Sequence, residues 1–132
     1  MAEPFKASLI TPEAIVLETT VTFAQVPAFD GLVGILNHRA PLLAKLQTGV
    51  LRLDPPGGQP QRFMVTGGYA QMKGNELTIL TTEAIPATQI NADKIAAEQS
   101  KLSAITGNDL KAMMQRQAVQ ARIQAMRSLT SA

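Results

Sequence analysis

His38 and Arg39 sit side by side in the stretch DGLVGILNHRAPLLAKLQTGVLRL, residues 30–53, and are the pair best equipped for chemistry in this 132-residue sequence. An imidazole can move a proton and a guanidinium can hold an anion. General acid–base catalysis needs a second titratable group within hydrogen-bond reach, and nucleophilic catalysis needs a serine or cysteine activated by such a base. Nothing in the sequence nominates either. His38 is the only histidine and there is no cysteine, so thiolate chemistry and disulfides are excluded and any metal site would have to be built from carboxylates. The pair is read as part of an ordered loop that touches a partner.

Two other patterns invite a ligand. GLVGIL has glycines but lacks the Lys-Ser/Thr ending that cradles phosphates, and GGQP at 57–60 has no helix after it. Both are turns. The third pattern is charge. Residues 1–88 hold six Lys/Arg against seven Asp/Glu, whereas residues 89–132 hold six against three, which together give the net charge of +2. After Asp109 no acidic residue follows, while Lys111, Arg116, Arg122 and Arg127 do. Such a basic edge suits nucleic acid, an anionic membrane or an acidic protein, but four charges diluted by glutamines are a modest field. The aromatics that stack single-stranded bases are missing from it.

These residues must be positioned by the elements around them. At 45% hydrophobic and 17% charged the chain is globular, and it is long enough to bury a core. No run of about 18 apolar residues would span a membrane. Glu3 and Glu13 interrupt a start that has neither the basic head nor the apolar core of a secretory signal. A soluble protein made inside the cell is expected.

Up to about Ile85 the reading is all β. Residues 5–10 and 15–26 are rich in Val, Ile, Thr, Leu and Phe; along the second run Ile15, Leu17, Val21 and Phe23 share one face, Glu18, Thr20 and Thr22 the other. Thr11-Pro12 makes the first turn and Pro27 ends the second run. Gly31, Gly34 and Gly49 mark positive φ or close backbone approach. Asn37 to Pro41 leave the sheet as a loop, since Pro41 donates no ladder bond, and Leu42, Leu43 and Leu46 then turn back into the core. Gly57 to Pro60 close a hairpin before Arg62–Thr66, and Gly74-Asn75 suit a two-residue turn between 69–73 and 76–82. Short strands at this spacing without helices between them argue for an antiparallel sandwich or barrel, here with an aliphatic core.

After Ile85-Pro86-Ala87-Thr88 the composition changes. Asn91 is the expected N-cap of a helix to about Ile105, Gly107 its C′ residue, and Asp109 the cap of a second helix to about Leu129. The short break makes the helices antiparallel. Ile95, Leu102 and Ile105 form a narrow stripe interrupted by Glu98 and Gln99. The second helix carries two stripes: Leu110, Met114, Ala121 and Ala125 on one side, Val119, Ile123 and Met126 on another. One meets the first helix, and the other needs the sandwich or a partner, because an isolated helix of this length is marginal in water. The predicted fold is therefore α+β: an N-terminal antiparallel β-sandwich of about ten short strands, residues 1–87, followed by an antiparallel two-helix hairpin, residues 88–132.

The order G-x-x-G-I-L, three residues, A-P-L-L, then G-V-L-R across residues 31–52 resembles the epsilon subunit of the rotary F-type ATP synthases, whose pattern reads approximately G-x-x-G-I-L-P-G-H-A-P-L-L-T-x-L-x-x-G-x-L-R. The match is long and ungapped, and that family is likewise a sandwich followed by a helical hairpin. The resemblance implies a non-catalytic central-stalk subunit, peripheral on the cytoplasmic face of a bacterial plasma membrane. Its partners would be the gamma subunit, the ring of membrane c subunits and the catalytic beta and alpha subunits, with no cofactor and no nucleic acid. It further implies that Gly31, Leu32 and Asn37, His38 and Arg39 face the ring, and that Lys111, Arg116, Arg122 and Arg127 reach an acidic segment of the catalytic head. The family's usual histidine falls at Arg39, with His38 in a glycine position and Asn37 in a proline position, which argues against an obligatory imidazole. Some relatives bind ATP through a motif similar to Ile/Leu-Asp-x-x-Arg-Ala. Here Ile90, Asn91 and Lys94 occupy its first, second and fifth positions, with asparagine for the carboxylate and lysine for the bidentate guanidinium, so ATP binding is not expected. The competing reading is a free-standing adaptor or nucleic-acid-binding β domain with a helical tail.

Overall fold

The computed structural model describes residues 3–37 and 40–130. Ten strands come first: β1 (Phe5–Ile10), β2 (Ile15–Val21), β3 (Phe23–Ala28), β4 (Gly31–Ile35), β5 (Leu42–Leu46), β6 (Gly49–Asp54), β7 (Gln61–Val65), β8 (Gly68–Lys73), β9 (Glu76–Leu80) and β10 (Ala84–Pro86). A 3₁₀ turn at Ala87–Gln89 leads into α1 (Ala92–Ala104) and α2 (Leu110–Thr130). The strand order is β10-β7-β6-β3-β5-β8-β9-β1-β2, with β4 beside β3. Only Ala28 and Leu46 pair across β3 and β5, so the sheet folds there into two layers. All strand pairs are antiparallel except β1 with β9.

Between the layers lies the expected aliphatic core. Leu9, Val21, Val26, Ile35, Leu51, Leu53, Val65, Met72, Leu77 and Ile79 are buried in it, with Phe5 and Phe63 as its aromatics. The period-2 pattern of β1, β6 and β8 puts alternate residues inside, as a sheet with one covered face requires. At Gly49 the fold does need the absence of a side chain, because a Cβ there would stand 2.8 Å from Cβ of Pro27. Gly74 and Asn75, at φ 58° and 60°, form the two-residue turn between β8 and β9.

Several local expectations change. GLVGIL is not a turn: Gly31–Ile35 form β4 and pair along their length with β3. Pro27 does not end its strand: β3 continues to Ala28, with Pro27 opposite Leu32 and its carbonyl accepting from the N–H of Gln47 at 2.9 Å. Neither Ile15 nor Phe23 joins the inward face of Leu17 and Val21: Phe23 pairs with Asp54, and its ring lies 5.6 Å from the Arg52 guanidinium on the outer side of its layer. The pairing steps from Leu9 with Leu17 to Ile10 with Ile15, so Val16 is the extra residue on β2 and Ile15 falls opposite the outward-facing Ile10. Leu46 is buried as expected, but Leu43 points outward and is 70% exposed.

The hairpin lies on the outer face of the β7–β6 layer. Met64, buried there, packs with Ile90, Ala125 and Met126, bordered by Val50, Ile85, Ile95 and Leu129. Burying side chains of this size contributes roughly 1.5–3 kcal/mol each. Both stripes of α2 are used, but only in their C-terminal halves. Ile123, Ala125 and Met126 are buried, whereas Leu110 and Met114 at the other end remain exposed.

Candidate functional site

The register of the second layer assembles a surface the sequence does not announce. Lys45 on β5 pairs with Tyr69 on β8, Tyr69 with Leu80 on β9, Leu80 with Ile10 on β1, and Ile10 with Ile15 on β2. Because paired residues share a face, these side chains form one row across five strands. Tyr69 is 50% exposed, Leu80 49% and Ile15 56%. Leu43, two residues before Lys45, lies on the same face, and the Lys45 ammonium sits 5.5 Å from the centre of the Phe29 ring. A shallow depression of about 370 Å³ runs along the row, lined by Ile10, Pro12, Gly68, Tyr69, Leu80 and Thr81. The helices cover the opposite layer, and among the described residues none covers this one. A contiguous apolar surface of this kind marks a protein interface.

Gly31 and Leu32 open β4 at one end of the sandwich, both exposed. Asn37 follows β4, and its side-chain amide donates to Oε2 of Glu3 at 3.2 Å and to the carbonyl of Pro4 at 3.3 Å. His38 and Arg39 lie outside the described residues. Gly31 and Leu32 thus begin β4, whereas Asn37 lies past its other end, beyond Ile35, so the structure does not gather the three at one point.

The four basic residues of α2 are not equivalent. Lys111 and Arg127 are exposed. Arg116 donates from Nη1 to the carbonyl of Gly107 at 2.9 Å, closing the turn between the helices. Arg122 is engaged twice. Its Nη1 lies 2.7 Å from Oε1 of Glu83, between β9 and β10, and its Nη2 donates to Oε1 of Glu98 on α1 at 2.9 Å. Lys101 reaches the same Glu98 oxygen at 3.4 Å. Burial disfavours the charge on Glu98, but the bonds from Arg122, joined by Lys101, outweigh it and hold the carboxyl below its ordinary value. Glu98, which in the sequence only interrupts an apolar stripe, is thus the buried centre of the hairpin. The one signal that could have found it is its place on the apolar face of a helix, where a carboxylate needs a cation.

The residues at the positions of the nucleotide motif have partners within the chain. Ile90 is buried in the hairpin's contact with the sandwich. Oδ1 of Asn91 accepts the backbone N–H of Lys94 and caps α1, and Lys94 itself is exposed. Among the described residues there is no cluster of three metal-ligating side chains, and no helix is long and apolar enough to cross a membrane.

Comparison with known proteins gives one answer. Residues 4–87 match the family described as ATP synthase, Delta/Epsilon chain, beta-sandwich domain. The ATP synthase epsilon chain of Rhodopirellula baltica is 38% identical over 86 residues, covering 65% of this chain and 66% of that one. The epsilon chain of Desulforamulus reducens is 32% identical over 101 residues, 76% of each. In fold the chain is similar to a chain of the Euglena gracilis mitochondrial ATP synthase, with a TM-score of 0.81 at 20% identity over 92% of this chain and 78% of that one. It is also similar to a chain of the Tetrahymena thermophila mitochondrial ATP synthase central stalk and c-ring, with a TM-score of 0.74 at 16% identity over 96% of each.

Proposed function

The chain belongs to the ATP synthase delta/epsilon family, as an epsilon chain, and on that premise we propose that it is a non-catalytic rotor subunit that couples ion flow through the membrane ring to ATP synthesis in the catalytic head. The observation that carries the reading is the uncovered apolar row Tyr69–Leu80–Ile10–Ile15 on a rigid sandwich. Its occupant is the gamma subunit. Exposed Leu32, with Gly31 and the loop of Asn37, His38 and Arg39, faces the c-subunit ring. The sandwich, residues 1–87, thus sits between larger proteins and passes torque, while the chemistry belongs to the catalytic beta subunits. The chain is held peripherally at the cytoplasmic face of the membrane through the complex alone and needs no cofactor.

Residues 88–132 form the regulatory part. The hairpin occupies two positions, one folded on the sandwich and one extended along gamma. In the second, Lys111, Arg116, Arg122 and Arg127 meet acidic residues of the catalytic head and oppose rotation in the hydrolytic direction. A differential affinity of a few kcal/mol between the positions is enough for such a switch. What supports two positions is the limited contact that holds the folded one: Ala125, Met126 and Ile90 on Met64, bordered by Val50, Ile85, Ile95 and Leu129, with the Arg122–Glu83 pair beside it. Deleting residues 89–132 in the assembled enzyme raises its ATPase activity, and unchanged activity would remove the inhibitory role.

A further inference from the structure

Arg122 stands where three parts of the chain meet. Its guanidinium joins Glu83, in the sandwich's last connection, to Glu98 on α1, while its own backbone belongs to α2. We propose that Glu83, Arg122 and Glu98 form a releasable latch: the triad holds the hairpin on the sandwich, and Arg122 can meet an acidic partner only by giving up both carboxylates. The proposal rests on the two-position reading above and names what sets the balance.

The energetics of buried pairs favour this role. Glu98 is 5% exposed and its Oε2 is buried without a hydrogen-bond partner, so its charge is tolerated only because Arg122 faces it, with Lys101 alongside. A buried ion pair of this kind adds little net stability over an apolar pair, yet removing one partner is strongly destabilising. The folded position is therefore neither deep nor gradual. Once a competing carboxylate draws Arg122 away, Glu98 is left buried against an incomplete cage and is driven into water, carrying α1 with it. Capture of Arg122 and release of the hairpin become one event. Glu83, 45% exposed at its side chain against 6% for Glu98, is the more accessible of the two carboxylates, although the Oε1 that meets Arg122 is itself buried.

The test is hydrogen exchange on the full chain, comparing the amides of α1 and α2 with those of β1 to β9. Arg122→Met, which leaves Glu98 buried with only Lys101 beside it, should speed exchange of the helices by roughly ten-fold or more and leave the strands unchanged; Glu98→Leu, which leaves Arg122 its bond to Glu83, should speed it less. The double variant Glu98→Leu with Arg122→Met should restore helix protection and abolish its sensitivity to added salt. Wild-type protection in Arg122→Met would overturn the latch, and so would a double variant whose protection still falls with salt. These measurements use the chain alone, so they fail separately from the subunit reading, which only the assembled enzyme decides.

Discussion

Oδ1 of Asn91 accepts the backbone N–H of Lys94 at 2.9 Å, so the position where ATP-binding relatives carry a carboxylate is engaged as a helix cap. Replacing Asn91 with alanine should cost about 1 kcal/mol of hairpin stability, read as faster amide exchange confined to α1. By the same geometry, millimolar MgATP should leave the thermal midpoint of the wild-type chain unmoved. Asparagine brings no charge and Lys94 cannot grip a phosphate bidentately. A stabilising shift with MgATP would show that the motif still binds.

Glu98 makes hairpin docking sensitive to acid. It faces Arg122 from α2 and Lys101 on its own helix, while Glu83 from the sandwich shares the same guanidinium. Its carboxyl is held below the ordinary value of 4.5 because the bonds from Arg122 outweigh the effect of burial. A group with a depressed folded-state value contributes stability above its ordinary value and loses that contribution as pH falls through the depressed one. Helix protection should therefore be constant near neutrality and collapse in acid below 4.5, before the strands are affected. Glu98→Gln should flatten that profile.

Met126 and Leu51 separate the two halves of the molecule energetically. Both are essentially inaccessible, but Met126 packs on Met64 at the hairpin contact and Leu51 lies between the sheet layers. Truncation to alanine should cost about 2–5 kcal/mol at either site. For Met126→Ala the loss should appear as undocking of the helices with strand protection retained. For Leu51→Ala strands and helices should weaken together in chemical denaturation.

Much of this fold is readable from short stretches, because its signals are local. Asn91 and Asp109 cap helices through bonds to residues three positions on, and Gly74-Asn75 dictate a tight turn through their own φ angles. What escaped is what depends on distant partners. The outward turn of Ile15 follows from an extra residue, Val16, in the pairing of β2 with β1, and the continuation of β3 through Pro27 depends on β4 and on Gln47. Of the site, the basic residues of α2 were visible as charges. That Arg122 is occupied, and by a buried glutamate 24 residues away, follows only from the packing of α2 on α1. The apolar row is likewise a property of strand order: Tyr69, Leu80 and Ile10 become neighbours only when β8, β9 and β1 lie side by side.

Tyr69 and Leu80 decide the central claim. Half exposed and touching no helix, they can be changed to glutamate with little effect on folding, since exposed substitutions usually stay within about 0.5 kcal/mol. Each glutamate nevertheless places a charge in the middle of the proposed gamma contact. The direct measurement is affinity purification of the tagged chain from its own cells, with quantification of co-purifying gamma. The wild-type chain should retain gamma in equal amount, and the Tyr69→Glu, Leu80→Glu double variant, with an unchanged circular dichroism spectrum, should retain almost none. A wild-type chain recovered without gamma, or a double variant that keeps it undiminished, would contradict the account.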